Sequence, residues 1–258
     1  MAETVIIEHL ENNIGEITLN RADSLNTFTL ELAAELNEAL LQLDADASVR
    51  VIILKGAGKA FCAGIDVGGL FGKSTMEYKA WISSMETPLV TISRLNKPVI
   101  AQVHGVAAAN GAGLVAACDL AIAADTARMG LTAINVGLNC IGPVIPVSRS
   151  VGRKRAMELL LYGELIKAPA ALEMGLVNKV VPADDLETEA RRWAAVLAAK
   201  SPIAVQIAKS AFYSAADMGY DKAFEYMNEA FARLCSTEDA EEGVSAFLEK
   251  RKPNWKEK

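Results

Sequence analysis

His104–Asp119, HGVAAANGAGLVAACD, is a run of small residues carrying Gly105, Gly111 and Gly113, and its reading decides how the rest of the chain is placed. So little side-chain volume precedes Leu114 that the backbone itself can lie against a neighbour or a ligand. Leu114, Val115, Ala116 and Ala117 then form the first turns of a helix buried on all sides. A helix N-terminus entered through a glycine-bearing turn offers free N–H groups, which suit an anion or a polarised carbonyl oxygen. The alternative is tight packing of the helix against a strand. Before this stretch Lys97-Pro98 ends a helix and Val99–Val103 forms a strand; after it come short strands at Asp119–Ala123 and Arg128–Gly130.

A second junction of the same texture lies upstream. Val49–Leu54 is a continuous β-branched run and so a buried strand, and Lys59–Gly69, KAFCAGIDVGG, follows it as a small, turn-forming loop. In an α/β sheet, two such strand-end loops can face one crevice. The remaining elements fit α/β winding. Thr4–His9 and Ile14–Leu19 alternate around the turn Glu11–Asn13, predicting an antiparallel hairpin. Asn20–Thr27, NRADSLNT, is polar and irregular. Leu32, Leu36, Leu40 and Leu43 recur at helical spacing over Leu30–Leu43, and residues 75–95 predict a helix interrupted before Pro88. Thr132–Pro146 is a segment punctuated by glycine and proline. Helices then follow over Arg153–Tyr162, Ala168–Met174, Asp184–Ala199, Pro202–Asp217, Asp221–Cys235 and Glu238–Lys250, with one strand-like piece at Val177–Val181. This divides the chain into a mixed α/β core, residues 1–198, and a helical C-terminal region, residues 199–258. The ending FLEKRKPNWKEK, with Phe247 and Trp255 among basic residues, is expected to be a solvated terminus, with a grip on a phosphate or a neighbouring subunit as the alternative.

Composition narrows the function. A hydrophobic content of 52% with only 6% aromatic residues indicates close packing rich in helix, and the net charge of −6 is interspersed along the chain, which argues against a nucleic-acid surface. The cysteines Cys62, Cys118, Cys140 and Cys235 show no CxxC spacing, and His9 and His104 are the only histidines. We therefore expect no metal site, reduced thiols, no membrane span and a cytoplasmic location.

FCAGIDV after one strand and NKPVIAQVHGVAAANGAGLVAACDLAIAAD around the next resemble the crotonase family of enoyl-CoA hydratases and isomerases. NRADSLN near the start, GRKRAMELLLYGELIKAPAALEMGLVNKVVP in the middle and AFLEKRKPNWK at the end extend the resemblance over the whole chain. It implies a crotonase-like spiral of β-β-α units (the ClpP/crotonase fold) whose C-terminal helices mediate trimerisation, giving a homotrimer or a hexamer of paired trimers. The implied substrate is an acyl-CoA of fatty-acid type, coenzyme A being part of the thioester rather than a bound cofactor. The implied chemistry is stabilisation of a thioester enolate by two backbone N–H groups, here those of Ile65 and Asn110. Asn110 stands where many members carry glycine. For coenzyme A the resemblance implies contacts from Ser24, Leu25, Ala63, Ile65, Asp66 and Val67, with Phe247 and Lys250 arriving from a neighbouring subunit. Asp66 could equally be a helix N-cap, and Asp23 sits where a basic or neutral residue is common.

The two glutamates that move protons in typical hydratases fall, by the same matching, on Gly113 and Ala133, and neither can transfer a proton. TAINVG followed by Leu-Asn-Cys is similar to a divergent group, the enoyl-CoA hydratase domain-containing proteins, in which the second glutamate is likewise absent. Cys140 could serve as nucleophile or acid/base, although a lone cysteine in an apolar segment is more often simply packed. His104, Asp119 and Asp125 suit structural roles. Glu77 and Glu86 could reach a pocket, helix-surface solvation being the default. The expected function is thus an enoyl-CoA hydratase/isomerase-type lyase or isomerase without the ordinary two-glutamate mechanism. An acyl-CoA thioester hydrolase, a decarboxylase and a non-catalytic acyl-CoA-binding protein are the alternatives. If the pocket is otherwise ordinary, Gly113→Glu with Ala133→Glu should confer hydration of crotonyl-CoA.

Overall fold

The hairpin forms because Asn12 and Asn13 accept the positive φ values, 63° and 59°, of a tight turn. It joins β1 (Val5–Leu10) to β2 (Ile14–Leu19) in antiparallel register. The computed structural model describes residues 3–68 and 70–258; Met1 and Ala2 of the expected core and Gly69 of the first junction lie outside them. Parallel strands β3 (Val51–Gly56), β4 (Val99–Val103), β6 (Leu120–Ala124) and β9 (Lys179–Val181) extend the sheet in the order β1-β2-β3-β4-β6-β9. These central strands are covered on both faces, which is why Val51–Leu54 is apolar without alternation and Val99–Val103 is buried throughout, with Gln102 its one polar residue. A small second sheet holds β5 (Val106–Ala108), β7 (Arg128–Gly130) and β8 (Ile166–Lys167).

Helix α1 (Leu30–Ala45) starts on the Thr29 hydroxyl and buries Leu32, Leu36, Leu40 and Leu43, the predicted stripe. Helix α2 (Thr75–Ile92) opens on a capping box between Ser74 and Glu77, so Glu77 is a capping residue rather than a pocket group. The expected break before Pro88 does not occur. Proline removes only the bond to the Ser84 carbonyl, and burial of Met85, Pro88, Leu89 and Ile92 carries the helix through it.

Helix α3 (Asn110–Ala117) occupies the opening stretch. Helix α4 (Val144–Tyr162) begins inside the segment expected to be irregular. It has a non-helical residue at Gly152 (φ 75°), beside the start of the helix expected from sequence. Helices α5 (Ala168–Met174), α6 (Leu186–Ala198), α7 (Pro202–Ala215), α8 (Tyr220–Cys235) and α9 (Glu238–Leu248) complete the chain.

The buried core runs continuously from Val5 to Ala198, and α7, α8 and α9 pack on one another beyond it. Asp119 ties the two parts together: it accepts from the Val99 amide (2.7 Å), the Lys209 ammonium (2.7 Å) and the Tyr213 hydroxyl (2.9 Å). The C-terminal tail is not simply solvated. Trp255 donates to the Ala199 carbonyl, and buried Asp239 accepts from the Lys256 and Glu257 amides, strapping the tail along α9.

Candidate active site

The first junction leaves β3 at Gly56 and is held from outside by the NRADSLN loop. Asn26 is fully buried at a φ of 56°. Its Nδ2 donates to the Ala57 and Ala60 carbonyls and its Oδ1 accepts from the Arg21 amide. Phe28 then pairs with Ile65 as a parallel bridge: the Phe28 amide donates to the Gly64 carbonyl and the Asp66 amide to the Phe28 carbonyl. Because peptide groups alternate in direction along extended backbone, the Ile65 amide faces away from Phe28. It donates to no acceptor among the described residues.

The second junction is hydrogen-bonded to the first. Phe61 donates to His104, Cys62 to Val106, and Ala108 back to Cys62, all backbone to backbone at 2.9–3.1 Å. This pairing creates β5 inside the run of small residues. At its end Ala109 takes φ 50° and ψ −113°, a strained setting for a residue with a Cβ, worth about 1–3 kcal/mol. The Ala109 amide is fixed on the Gly130 carbonyl at 2.8 Å. That turn starts α3 with no side-chain cap, and the Asn110 amide donates to nothing among the described residues. Gly64 and Ala109, the residues preceding the two free amides, lie against each other: a Cβ added at Gly64 would stand 3.1 Å from the Ala109 Cβ. The structure therefore brings the Ile65 and Asn110 segments together. Asn110 itself is buried, and its Nδ2 has no partner among the described residues. The sequence offered no sign of that orphan donor beyond the unusual residue type.

Six of the residues expected to meet coenzyme A form one patch here. Ser24 and Leu25 close the NRADSLN loop, and Leu25 (φ 52°) accepts from the Ala63 amide at 3.0 Å. Ile65, Asp66 and Val67 continue from Ala63. Asp66 is not a helix N-cap, since α2 begins on Ser74. Its carboxylate accepts from the Gly68 amide and pairs with Arg21, and both hold it below the usual carboxylate range. Phe247 and Lys250 stand exposed at the end of α9, and the bonds that build the patch do not include them.

The space at the first of the two family acid positions is taken. A Cβ at Gly113 would lie 2.7 Å from the Pro143 Cβ and 3.0 Å from the Leu89 Cδ2, so a glutamate cannot simply be restored there. Ala133 sits in a 3-10 turn, Thr132–Val136, partly buried against the core. Cys140 packs beside it, only 3% exposed, with a backbone hydrogen bond from Ala133. Burial pushes its thiol above the ordinary range, which favours the inert thiol over a nucleophilic thiolate. His104 donates from Nε2–H to the Gly58 carbonyl (3.1 Å), and burial lowers its basicity, as suits a structural histidine. Cys62, Cys118 and Cys140 are buried free thiols and Cys235 an exposed one.

No helix among the described residues is long and apolar enough to cross a membrane, and no cluster of three or more His, Cys, Asp or Glu side chains suited to a metal ion occurs among them. The family model for enoyl-CoA hydratase/isomerase matches residues 9–258. "Probable enoyl-CoA hydratase echA8" of Mycobacterium bovis is 35% identical over 254 residues, covering 98% of each chain. "Enoyl-CoA hydratase domain-containing protein 3, mitochondrial" of Xenopus laevis is 35% identical over 246 residues, covering 95% of this chain and 84% of the relative. Its name gives no support to the cytoplasmic expectation. Among solved structures, an enoyl-CoA hydratase of Mycobacterium smegmatis superposes with a TM-score of 0.94 at 39% identity over 98% of both chains. Human enoyl-CoA hydratase domain-containing protein 3 superposes at 0.93 and 34% identity, covering 98% of this chain and all of the other. With the motif match, the fold and these relatives in agreement, the chain belongs to the enoyl-CoA hydratase/isomerase family.

Proposed function

We propose that the protein is an acyl-CoA enzyme that stabilises a thioester enolate between the amides of Ile65 and Asn110. The observation that carries this reading is the pair of unengaged amides on two junctions pressed against each other. Negative charge develops on the thioester oxygen when a proton leaves the α-carbon or a nucleophile adds to the conjugated double bond. Two preoriented donors in a dry site lower that barrier by several kcal/mol. The patch of Ser24, Leu25, Ala63, Asp66 and Val67 would receive the coenzyme A moiety, with Phe247 and Lys250 of another copy closing over it. Phe212, Phe224 and Phe231, each more than half exposed on α7 and α8, supply an apolar face for assembly as a homotrimer or a pair of trimers.

Ordinary hydration with two glutamates does not fit, because Gly113 and Ala133 carry no proton and Pro143 and Leu89 occupy the space beside Gly113. That filled space also supports a second reading, a non-catalytic acyl-CoA-binding protein. Calorimetry with acyl-CoA, together with mass spectrometry of a panel of enoyl, malonyl and 3-oxoacyl thioesters, separates the two. Binding with turnover of one panel member supports the enzyme, binding with no turnover supports the second reading, and absence of binding contradicts both.

A further inference from the structure

A cleft of about 780 Å³ opens between α2, α4 and α7, lined by Glu86, Leu89, Gly142, Arg149, Tyr213 and Asp217 among others. Its ionisable groups are nearly all spoken for. Arg149 holds Asp217 through both carboxylate oxygens at 3.0 Å, Asp119 is shared by Lys209 and Tyr213, and the Cys118 thiol is pushed up by burial. Glu86 is the exception. No hydrogen bond or ion pair among the described residues engages its carboxyl.

The position of that carboxyl is fixed by a neighbour. It rests on the Cα of Gly142, where an added Cβ would fall inside the carboxyl group itself. Gly142 is followed by Pro143, the residue that fills the space at Gly113. Leu89 on α2 also meets Gly113, its Cδ2 standing 3.0 Å from where a Cβ there would be. Glu86 lies one turn before Leu89 on α2, and through Gly142 and Pro143 its carboxyl borders the filled space at Gly113.

We propose, resting on the enolate reading above, that Glu86 is the catalytic base and acid of this site, supplied from α2 in place of the carboxylates that Gly113 and Ala133 lack. In this step the C–H bond at the α-carbon breaks, its proton passes to a Glu86 carboxylate oxygen, and the electron pair shifts onto the thioester oxygen facing Ile65 and Asn110. The reverse transfer returns the proton to carbon. Burial without a partner raises the affinity of Glu86 for a proton, which brings it nearer to neutral working conditions.

The test is α-hydrogen exchange in D2O, read by mass spectrometry, on butanoyl-, hexanoyl- and octanoyl-CoA bound to the full-length protein. The wild type should exchange, with a rate that rises with pH through a value above the ordinary glutamate range. Glu86→Gln should slow exchange about 100-fold or more and abolish that limb, with acyl-CoA affinity by calorimetry retained, and Glu86→Asp should recover part of the rate. Gly142→Ala, which keeps the carboxylate but evicts it from its seat, should lose exchange in the same way. Undiminished exchange in folded Glu86→Gln overturns the role of Glu86 and leaves the enolate reading standing. Absence of exchange in the wild type overturns both.

Discussion

Gly111→Ala is the most exacting test of how the two junctions meet. A Cβ at this position would fall 2.9 Å from the Cys62 carbonyl carbon, 3.0 Å from its Cβ, and deeper still into its carbonyl oxygen. Cys62 cannot retreat freely, because its amide donates to Val106 and its carbonyl accepts from Ala108. Relieving the overlap means overpacking strain of about 1–3 kcal/mol and loss or stretching of two hydrogen bonds worth about 0.5–1.5 kcal/mol each, against a gain of about 1 kcal/mol from replacing a helical glycine. The net expectation is destabilisation centred near roughly 3 kcal/mol. Urea unfolding should show a lower midpoint at unchanged slope, and acyl-CoA binding should weaken because the Asn110 amide moves with the helix start. A variant within about 0.5 kcal/mol of wild type, with binding intact, would refute the close apposition of the junctions.

Asp119→Ala removes the acceptor shared by the Val99 amide, Lys209 and Tyr213 and leaves a nearly buried ammonium without its carboxylate. It should destabilise by about 3–5 kcal/mol, while Tyr213→Phe should cost only about 1 kcal/mol, both read by denaturant titration. Burial lowers the pKa of His104 from its ordinary 6.5 in the folded state, so the unfolded chain binds the proton first. Its contribution to stability is complete above pH 6.5 and is lost as the pH falls below it; His104→Gln should flatten that part of a stability-against-pH curve. Cys140→Ala should keep acyl-CoA turnover within about threefold of wild type and remove little reactivity toward iodoacetamide, because the thiol is buried and held protonated. A hundredfold loss of turnover would restore Cys140 as a catalytic group.

Much of the fold was legible because its elements follow local rules. The leucine stripe of α1, the Asn-Asn turn of the hairpin and the apolar runs of β3 and β4 each state their structure in a few residues. The failures came where tertiary partners override local signals. Pro88 sits inside α2 because a buried face outweighs one lost hydrogen bond, and β5 exists because Cys62 and Gly130 supply its partners. At the site, the resemblance of FCAGID and AANGAG to the family's motifs implied the two amides. Nothing local could say that Pro143, thirty residues after Gly113, fills the space beside it, or that Gly142 seats the carboxyl of Glu86. Those facts depend on how α2, α3 and α4 converge. The tail misled for a similar reason: its basic residues suggested solvation, whereas Asp239 and Glu242 wait on α9 to bind it.

In the proposed site a thioester oxygen sits between the amides of Ile65 and Asn110. A crystal structure with a bound acyl-CoA tests it directly. The thioester oxygen should lie within about 2.7–3.1 Å of both amide nitrogens, with the pantetheine chain leaving past Ala63. A thioester seated elsewhere, or one whose oxygen meets only one of the two amides, would contradict it.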